Sequence, residues 1–234
     1  MKPVAIFRHA PIEGPGYFAI VLERQNIPWQ VIGIDAGDAV PTDPHEYSGF
    51  AFMGGPMSVN DDLPWIAPVL ELIRASVAAD VPVLGHCLGG QLMSKALGGS
   101  VTRNPVKEIG WGEVSVGDAP AARAWFGHAA PSFMSFHWHG ETFSVPPGAE
   151  RVLTNQFCEN QAFAMGKHLG MQCHIEMTPG MIESWCVSGA REIGRSNSPA
   201  VQSVAAIKDA CEQGLAGLHA VADGVYARWI QGLR

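Results

Sequence analysis

"VLGHCLGGQ" at residues 83–91 sets an apolar run directly against a cysteine, with glycines two positions to either side of it. Taken singly, Cys87 reads as either an inert core thiol or an exposed nucleophile. A strand ending at Gly85 and a helix beginning near Leu88 leave almost no residues for a connection, so the chain must reverse sharply at Cys87. That is the shape of a nucleophile elbow, in which small flanking residues let strand and helix approach while a strained residue projects its side chain. Gly85 and Gly89 supply the small residues. The following helix also directs backbone N–H groups, Leu88 first, to where a thiolate and later an oxyanion would stand.

Outward from this stretch, the first half of the chain alternates strand-like and helix-like runs. Strands are expected at 3–7, 29–34, 49–53 and 81–85, and helices at 16–26 and 63–79, the latter accepting Pro64 and Pro68 only near its first turn. A further helix is closed by Gly98 and Gly99. This alternation predicts an open, mainly parallel sheet with helices on both faces. After it come β-rich segments, of which "QAFAMG" (161–166) and "LGMQCH" (169–174) suggest a hairpin. From Thr178 the pattern is helical, with Ser198 before Pro199 as a helix start and Gly214 or Gly217 as a break.

The chain has 234 residues, 47% hydrophobic and 16% charged, with 27 glycines, which fits one compact α/β unit. A formal net charge of -7 and no cluster of Lys and Arg argue against nucleic-acid binding. No stretch approaches the apolar length of a membrane span, and the N-terminal run breaks at Arg8, so no membrane association and a cytoplasmic location are expected. Five cysteines without CxxC spacing suggest reduced thiols, neither a disulfide framework nor a zinc ribbon.

A thiolate nucleophile needs a base, and the base an orienting partner. His174 and Glu176, two apart at the end of an expected strand, point to the same side. "FMGGPMS" (52–58) follows the third strand and offers Gly54 and Gly55 either as a plain turn or as a second oxyanion donor. "RHAPIEGPG" (8–16) follows the first strand, where loops border the crevice of such sheets, so His9 and Glu13 either touch a substrate or serve loop hydrogen bonding.

Taken together these motifs resemble one family. "GHCLGGQ" (85–91) is similar to the G-x-C-x-G-x-Q signature of the triad, or class I, glutamine amidotransferases; "QCHIE" (172–176) resembles their Q-x-H-P-E signature, and "GGP" (54–56) their oxyanion loop. "EIGWGEV" (108–114) and "WHGETFSVPPGA" (138–149) look like segments of the glutaminase domain of GMP synthase. The resemblance covers about residues 45–190. It implies a flavodoxin-like α/β sheet in which Cys87 attacks the carboxamide of glutamine, His174 is base and then acid, and Glu176 orients it. Gly55 and Leu88 match the oxyanion donors and Gln91 a substrate-pocket residue. Trp138 and His139 fall on a loop lining that pocket, core packing being the alternative for Trp138.

Cys173 and Ile175 depart from the usual aromatic and proline of the histidine motif, which can set the His174 rotamer differently without removing a catalytic atom. No ATP-binding synthetase region accompanies the motifs. The expected organisation is an amidotransferase-like unit over 1–190 with a helical extension, 191–234, packed on it. The expected activity is hydrolysis of a γ-glutamyl amide through a Cys87 thioester, needing no metal and no cofactor, with glutamine or another small γ-glutamyl compound as substrate. Its rivals are a glutaminase subunit feeding a separate synthetase, a γ-glutamyl peptidase, and a non-catalytic binding protein on the same fold.

Overall fold

The computed structural model describes residues 1–233, so the last position of the expected extension, Arg234, lies outside the described residues. The chain runs β1 (Val4–Arg8), α1 (Gly16–Arg24), β2 (Trp29–Gly33), β3 (Gly49–Phe52), α2 (Ile66–Ala78), β4 (Val83–His86) and α3 (Leu88–Ala96). It continues through β5 (Val101–Val116), α4 (Pro120–Phe126), β6 (Ser132–Phe143), β7 (Glu150–Thr154), β8 (Ala162–Met165) and β9 (His168–Met171). Last come α5 (Pro179–Ser188), α6 (Ala190–Arg195), β10 (Ala200–Val201), α7 (Val204–Asp209) and α8 (Cys211–Ile230). No helix among the described residues is long and apolar enough to cross a membrane.

Strands β3 and β4 are apolar at nearly every position because both their faces are covered, the signature of parallel strands inside a layered fold. The sheet is mainly parallel and open, with strand order β10-β5-β7-β8-β9-β4-β3-β1-β2 and β6 paired to β5. Strands β9, β4, β3, β1 and β2 are mutually parallel, whereas β8, β7, β5 and β6 join by antiparallel pairings. The hairpin expected near 161–174 is β8–β9. Helices α2 and α3 cover one face, packing Leu72, Ile73, Leu92 and Met93 on Phe7, Phe50 and Phe52. Helices α1, α4, α5 and α8 cover the other, around Phe18, Trp125, Trp185 and Trp229.

The C-terminal region differs from the sequence expectation in two places. Ser198 does not begin a helix: its hydroxyl donates to Lys107 O at 2.6 Å, and Ala200–Val201 add a short parallel strand to β5 before Ser203 caps α7. Open backbone groups of β5 at Glu108 and Ile109 outcompete the local cap. Neither Gly214 nor Gly217 breaks α8. At Gly214 the Trp111 ring lies so close that a Cβ would stand 2.8 Å from it, so this glycine serves packing. Helix α8 lies over α1, with Trp229 edge-on to Phe18 and Tyr17 stacked on His219 at 3.7 Å.

Three histidines are held neutral by burial, which pushes the pKa of His9, His137 and His168 down to about 4. The unfolded chain therefore binds more protons between pH 6.5 and 4, and stability falls as pH falls through that window, by on the order of 3 kcal/mol per histidine. The melting temperature should drop by at least about 5 °C from pH 7 to pH 4.5. Calorimetry giving an equal or higher value at the lower pH would contradict these buried neutral rings.

Candidate active site

Strand β4 ends at His86 and α3 starts at Leu88, so the whole reversal falls on Cys87, with φ 50° and ψ -107°. Its backbone is fixed at both ends: N–H donates to Met171 O at 2.8 Å, and C=O accepts from Gln91 N at 3.0 Å. The flanking glycines are required by close approach. A Cβ on Gly85 would stand 2.4 Å from the Gly89 carbonyl carbon, and one on Gly89 only 2.0 Å from Phe52 O. Strand, helix and neighbouring strand thus meet with no room for a side chain, and this contact orders a strained non-glycine residue.

Cys87 lines a cavity of about 500 Å³ together with Glu13, Gly55, Gln91, Trp138, His139 and His174, at the carboxyl ends of the parallel strands. His174 lies just beyond β9, not on it as the sequence reading had it. Its backbone is clamped to β6 instead, by paired hydrogen bonds with Phe136 at 2.8 and 3.4 Å. Cys173 and Ile175, on either side of His174, are fully buried and hold the segment in the core. The ring is set edge-on against Trp185 at 4.9 Å, and Nδ1 meets Glu176 Oε1 at 2.6 Å. Nε2 has no partner at hydrogen-bond distance among the described residues.

Burial opposes a charge on His174, but the Glu176 carboxylate, aided by nearby Cys87, more than offsets it and holds the pKa well above the ordinary value. Burial likewise opposes the Glu176 charge, and the facing rings of His86 and His174 overcome it, bringing that carboxyl down to about 2. His86 was not singled out from the sequence. It is fully buried, with Nε2 3.7 Å from Glu176 Oε2 and 3.1 Å from the Tyr226 hydroxyl. Helix α8 therefore reaches the far side of the carboxylate, Tyr226 lying 140 residues from His86 in the chain.

The expected oxyanion pair is brought together. A Cβ on Gly55 would stand 2.7 Å from Leu88 Cδ2, so the β3 loop rests on the first residue of α3. Leu88 is buried at the N-terminus of α3, where backbone N–H groups lack intrahelical partners. Gln91 donates to Gln172 Oε1 at 3.1 Å, and Gln172 in turn donates to Cys87 Sγ at 3.5 Å, a role for Gln172 that the motif alone did not suggest. Trp138 forms the rim: its indole donates to Glu192 at 3.0 Å, its ring packs on Trp185, and its carbonyl faces the Cys87 thiol at 3.8 Å.

His139 borders the cavity with both nitrogens occupied, Nε2 by Glu108 Oε2 at 2.9 Å and Nδ1 by Glu141 O at 2.9 Å. Glu108, His137 and His139 present potential metal-ligand atoms within 4.8 Å of one another. Glu108 already accepts from Asn155, Gln161 and His139, so of the trio's own ligand atoms only His137 Nδ1 lacks a partner among the described residues, and the trio is a hydrogen-bonded network ill-suited to an ion. Of the two loop residues after β1, His9 is buried behind the cavity, bonded to Met53 O at 3.1 Å and packed on Trp65, whereas Glu13 lines the cavity itself.

Comparison with known proteins bears on this arrangement. The sequence model of "Glutamine amidotransferase class-I" matches residues 21–185. The glutamine amidotransferase-like protein YfeJ of Salmonella typhimurium is 27% identical over 191 residues, spanning 79% of this chain and 80% of that protein. A GMP synthase of Vibrio vulnificus is 31% identical over 171 residues, 69% of this chain but only 32% of the synthase. Among solved structures, a glutamine amido transferase from Methylobacillus flagellatus superposes with a TM-score of 0.96 at 45% identity, over 100% of this chain and 96% of that one. A glutamine amidotransferase from Thermotoga maritima does so at 0.89 and 27%, over 98% of each.

Proposed function

Because this chain belongs to the class I glutamine amidotransferase family, we propose that it is a Cys-His-Glu hydrolase of γ-glutamyl amides, with glutamine as the simplest substrate. The observation that carries this reading is the 2.6 Å hydrogen bond from His174 to Glu176 in the wall of the cavity that Cys87 lines. Cys87, as thiolate, attacks the amide carbon; the C=O electron pair moves to oxygen, which the Gly55 and Leu88 N–H groups receive. The C–N bond then breaks as His174 gives its Nε2 proton to the leaving nitrogen, leaving a γ-glutamyl thioester and a free amine. Water, losing a proton to His174, attacks the thioester, the C–S bond breaks, and glutamate leaves.

The other thiols are poor competitors for this role. Burial pushes Cys158 up to about 11 and Cys173 up to about 12, and raises Cys186 and Cys211 as well. A glutamine-like electrophile should therefore label Cys87 first among the five cysteines, with glutamine slowing the reaction, and the isolated chain should hydrolyse a γ-glutamyl amide at about 1–10³ s⁻¹. Peptide mapping that found another cysteine modified first would overturn the nucleophile. Turnover absent until an ATP-dependent enzyme is added would instead identify an ammonia-delivering subunit, whose site closes only with its partner.

A further inference from the structure

Glu13 is, of the two loop residues after β1 that the sequence leaves between a structural and a substrate-facing role, the one that lines the cavity, and its surroundings give it a position in the site. The loop that carries it is pinned on both sides of His174. Ile12 O accepts from the Trp185 indole at 2.9 Å, Tyr17 N–H donates to Glu176 O at 2.7 Å, and Glu13 N–H closes a turn onto Ala10 O at 3.0 Å. The point at which a Cβ on Gly54 would stand is 2.2 Å from Glu13 Oε2 and 3.3 Å from His174 Cε1. The carboxyl group thus sits beside the imidazole, inside the cavity, and accepts no hydrogen bond from the described residues.

Burial pushes its pKa up to about 7, with the His174 charge pulling the other way. A carboxylate held in that state is stabilised by any ligand that brings it a positive charge or N–H groups. The direction from which such a ligand comes is set by the chemistry. His174 must hand its proton to the leaving nitrogen, so that nitrogen stands next to His174, and whatever crowds the imidazole lines the path of the leaving amine. Ala10, Ile12, Trp185 and Glu13 belong to the lining around the imidazole; of the other charged lining groups, Glu192 is taken up by Lys107 and the Trp138 indole and Glu141 accepts from Ser58 at 3.1 Å, which leaves Glu13 as the carboxyl group without a partner among the described residues. Gln91 and Ser58 line the cavity as well, and neither belongs to the loop that packs around His174.

We propose that Glu13 forms the leaving-amine subsite and selects γ-glutamyl amides whose amine carries a second, positively charged group. The assignment rests on the γ-glutamyl hydrolase reading of the same cavity. A carboxylate of this kind facing an ammonium rather than another carboxylate is worth roughly tenfold to a hundredfold in kcat/KM.

Four substrates decide it, assayed at pH 8 with the wild-type chain and the Glu13→Gln variant: glutamine, and the γ-glutamyl amides of ethylamine, 1,4-diaminobutane and glycine. The wild-type protein should favour the diaminobutane amide over the glycine amide by that factor, and Glu13→Gln should bring the ratio towards one. A uniform loss on all four would make Glu13 a mere support of His174 and overturn the selection, as would a wild-type preference for the glycine amide. A second readout does not depend on turnover. The rates at which 2-aminoethyl and 2-sulfonatoethyl methanethiosulfonate modify Cys87, followed by peptide mass, should differ in favour of the cation, and the ratio should fall about tenfold in Glu13→Gln. An unchanged ratio overturns the role of Glu13 even if all four amides are hydrolysed. Failure to hydrolyse any of them refutes the hydrolase reading and its amine subsite together, while a fallen ratio would still place the Glu13 charge at Cys87.

Discussion

Replacement of His174 by alanine is expected to lower kcat on any γ-glutamyl amide by roughly 10⁴-fold or more, and Cys87→Ala to do the same. The two losses should not add, because nucleophile and base act as a unit: without the imidazole nothing takes or returns the proton, and without the thiol there is no thioester. Neither change should unfold the chain. The elbow backbone is held by the hydrogen bond its N–H donates to Met171 O and the one its C=O accepts from Gln91 N–H, and the His174 backbone by Phe136, none of which involves the deleted atoms. Circular dichroism and single-turnover hydrolysis of the folded variants would test this. A His174→Ala protein retaining more than a few per cent of the wild-type rate would remove the proposed base.

Glu176→Gln should be less severe, costing about 10³–10⁴-fold, since the amide still packs but can present the wrong hydrogen-bonding partner to Nδ1. It should also move the pH profile. The carboxylate is the main influence that raises His174 against its own burial, so removing that charge lets burial dominate and lowers the His174 pKa. The limb of the pH–rate profile belonging to this imidazole is therefore expected at lower pH in the variant. Profiles of kcat/KM that superimpose would mean that Glu176 does not govern the charge of His174, despite the 2.6 Å contact.

What could be read from the chain itself was whatever a few neighbouring residues constrain. The spacing of Gly85, Cys87 and Gly89 requires a tight strand-to-helix reversal because side chains at those glycines would overlap the Gly89 and Phe52 carbonyls. Continuous apolar runs mark β3 and β4 because both faces are covered, and Gly98 closes α3 at a positive φ of 92°. With these came the order of strands and helices in the first half, the β8–β9 hairpin and the candidate set Cys87, His174 and Glu176. Outside that reach lay everything decided by contacts between distant segments. Ser198 carries a good local capping signal, but β5 offered unpaired backbone, and the chain there became a strand. Gly214 looked like a break until the Trp111 ring filled the space beside it. His86 and Gln172 fall inside the quoted motifs, but neither their partners nor Tyr226 are marked by the sequence, because those contacts form only when α8 and β9 pack beside the elbow. Glu13 and His9, four residues apart, are indistinguishable as polar loop positions. Burial separates them, turning one ring behind the cavity against Trp65 and setting the other side chain inside it beside His174. Sequence spacing encodes local backbone geometry, whereas the charge and hydrogen-bonding environment of a side chain depends on which remote surfaces the core draws against it.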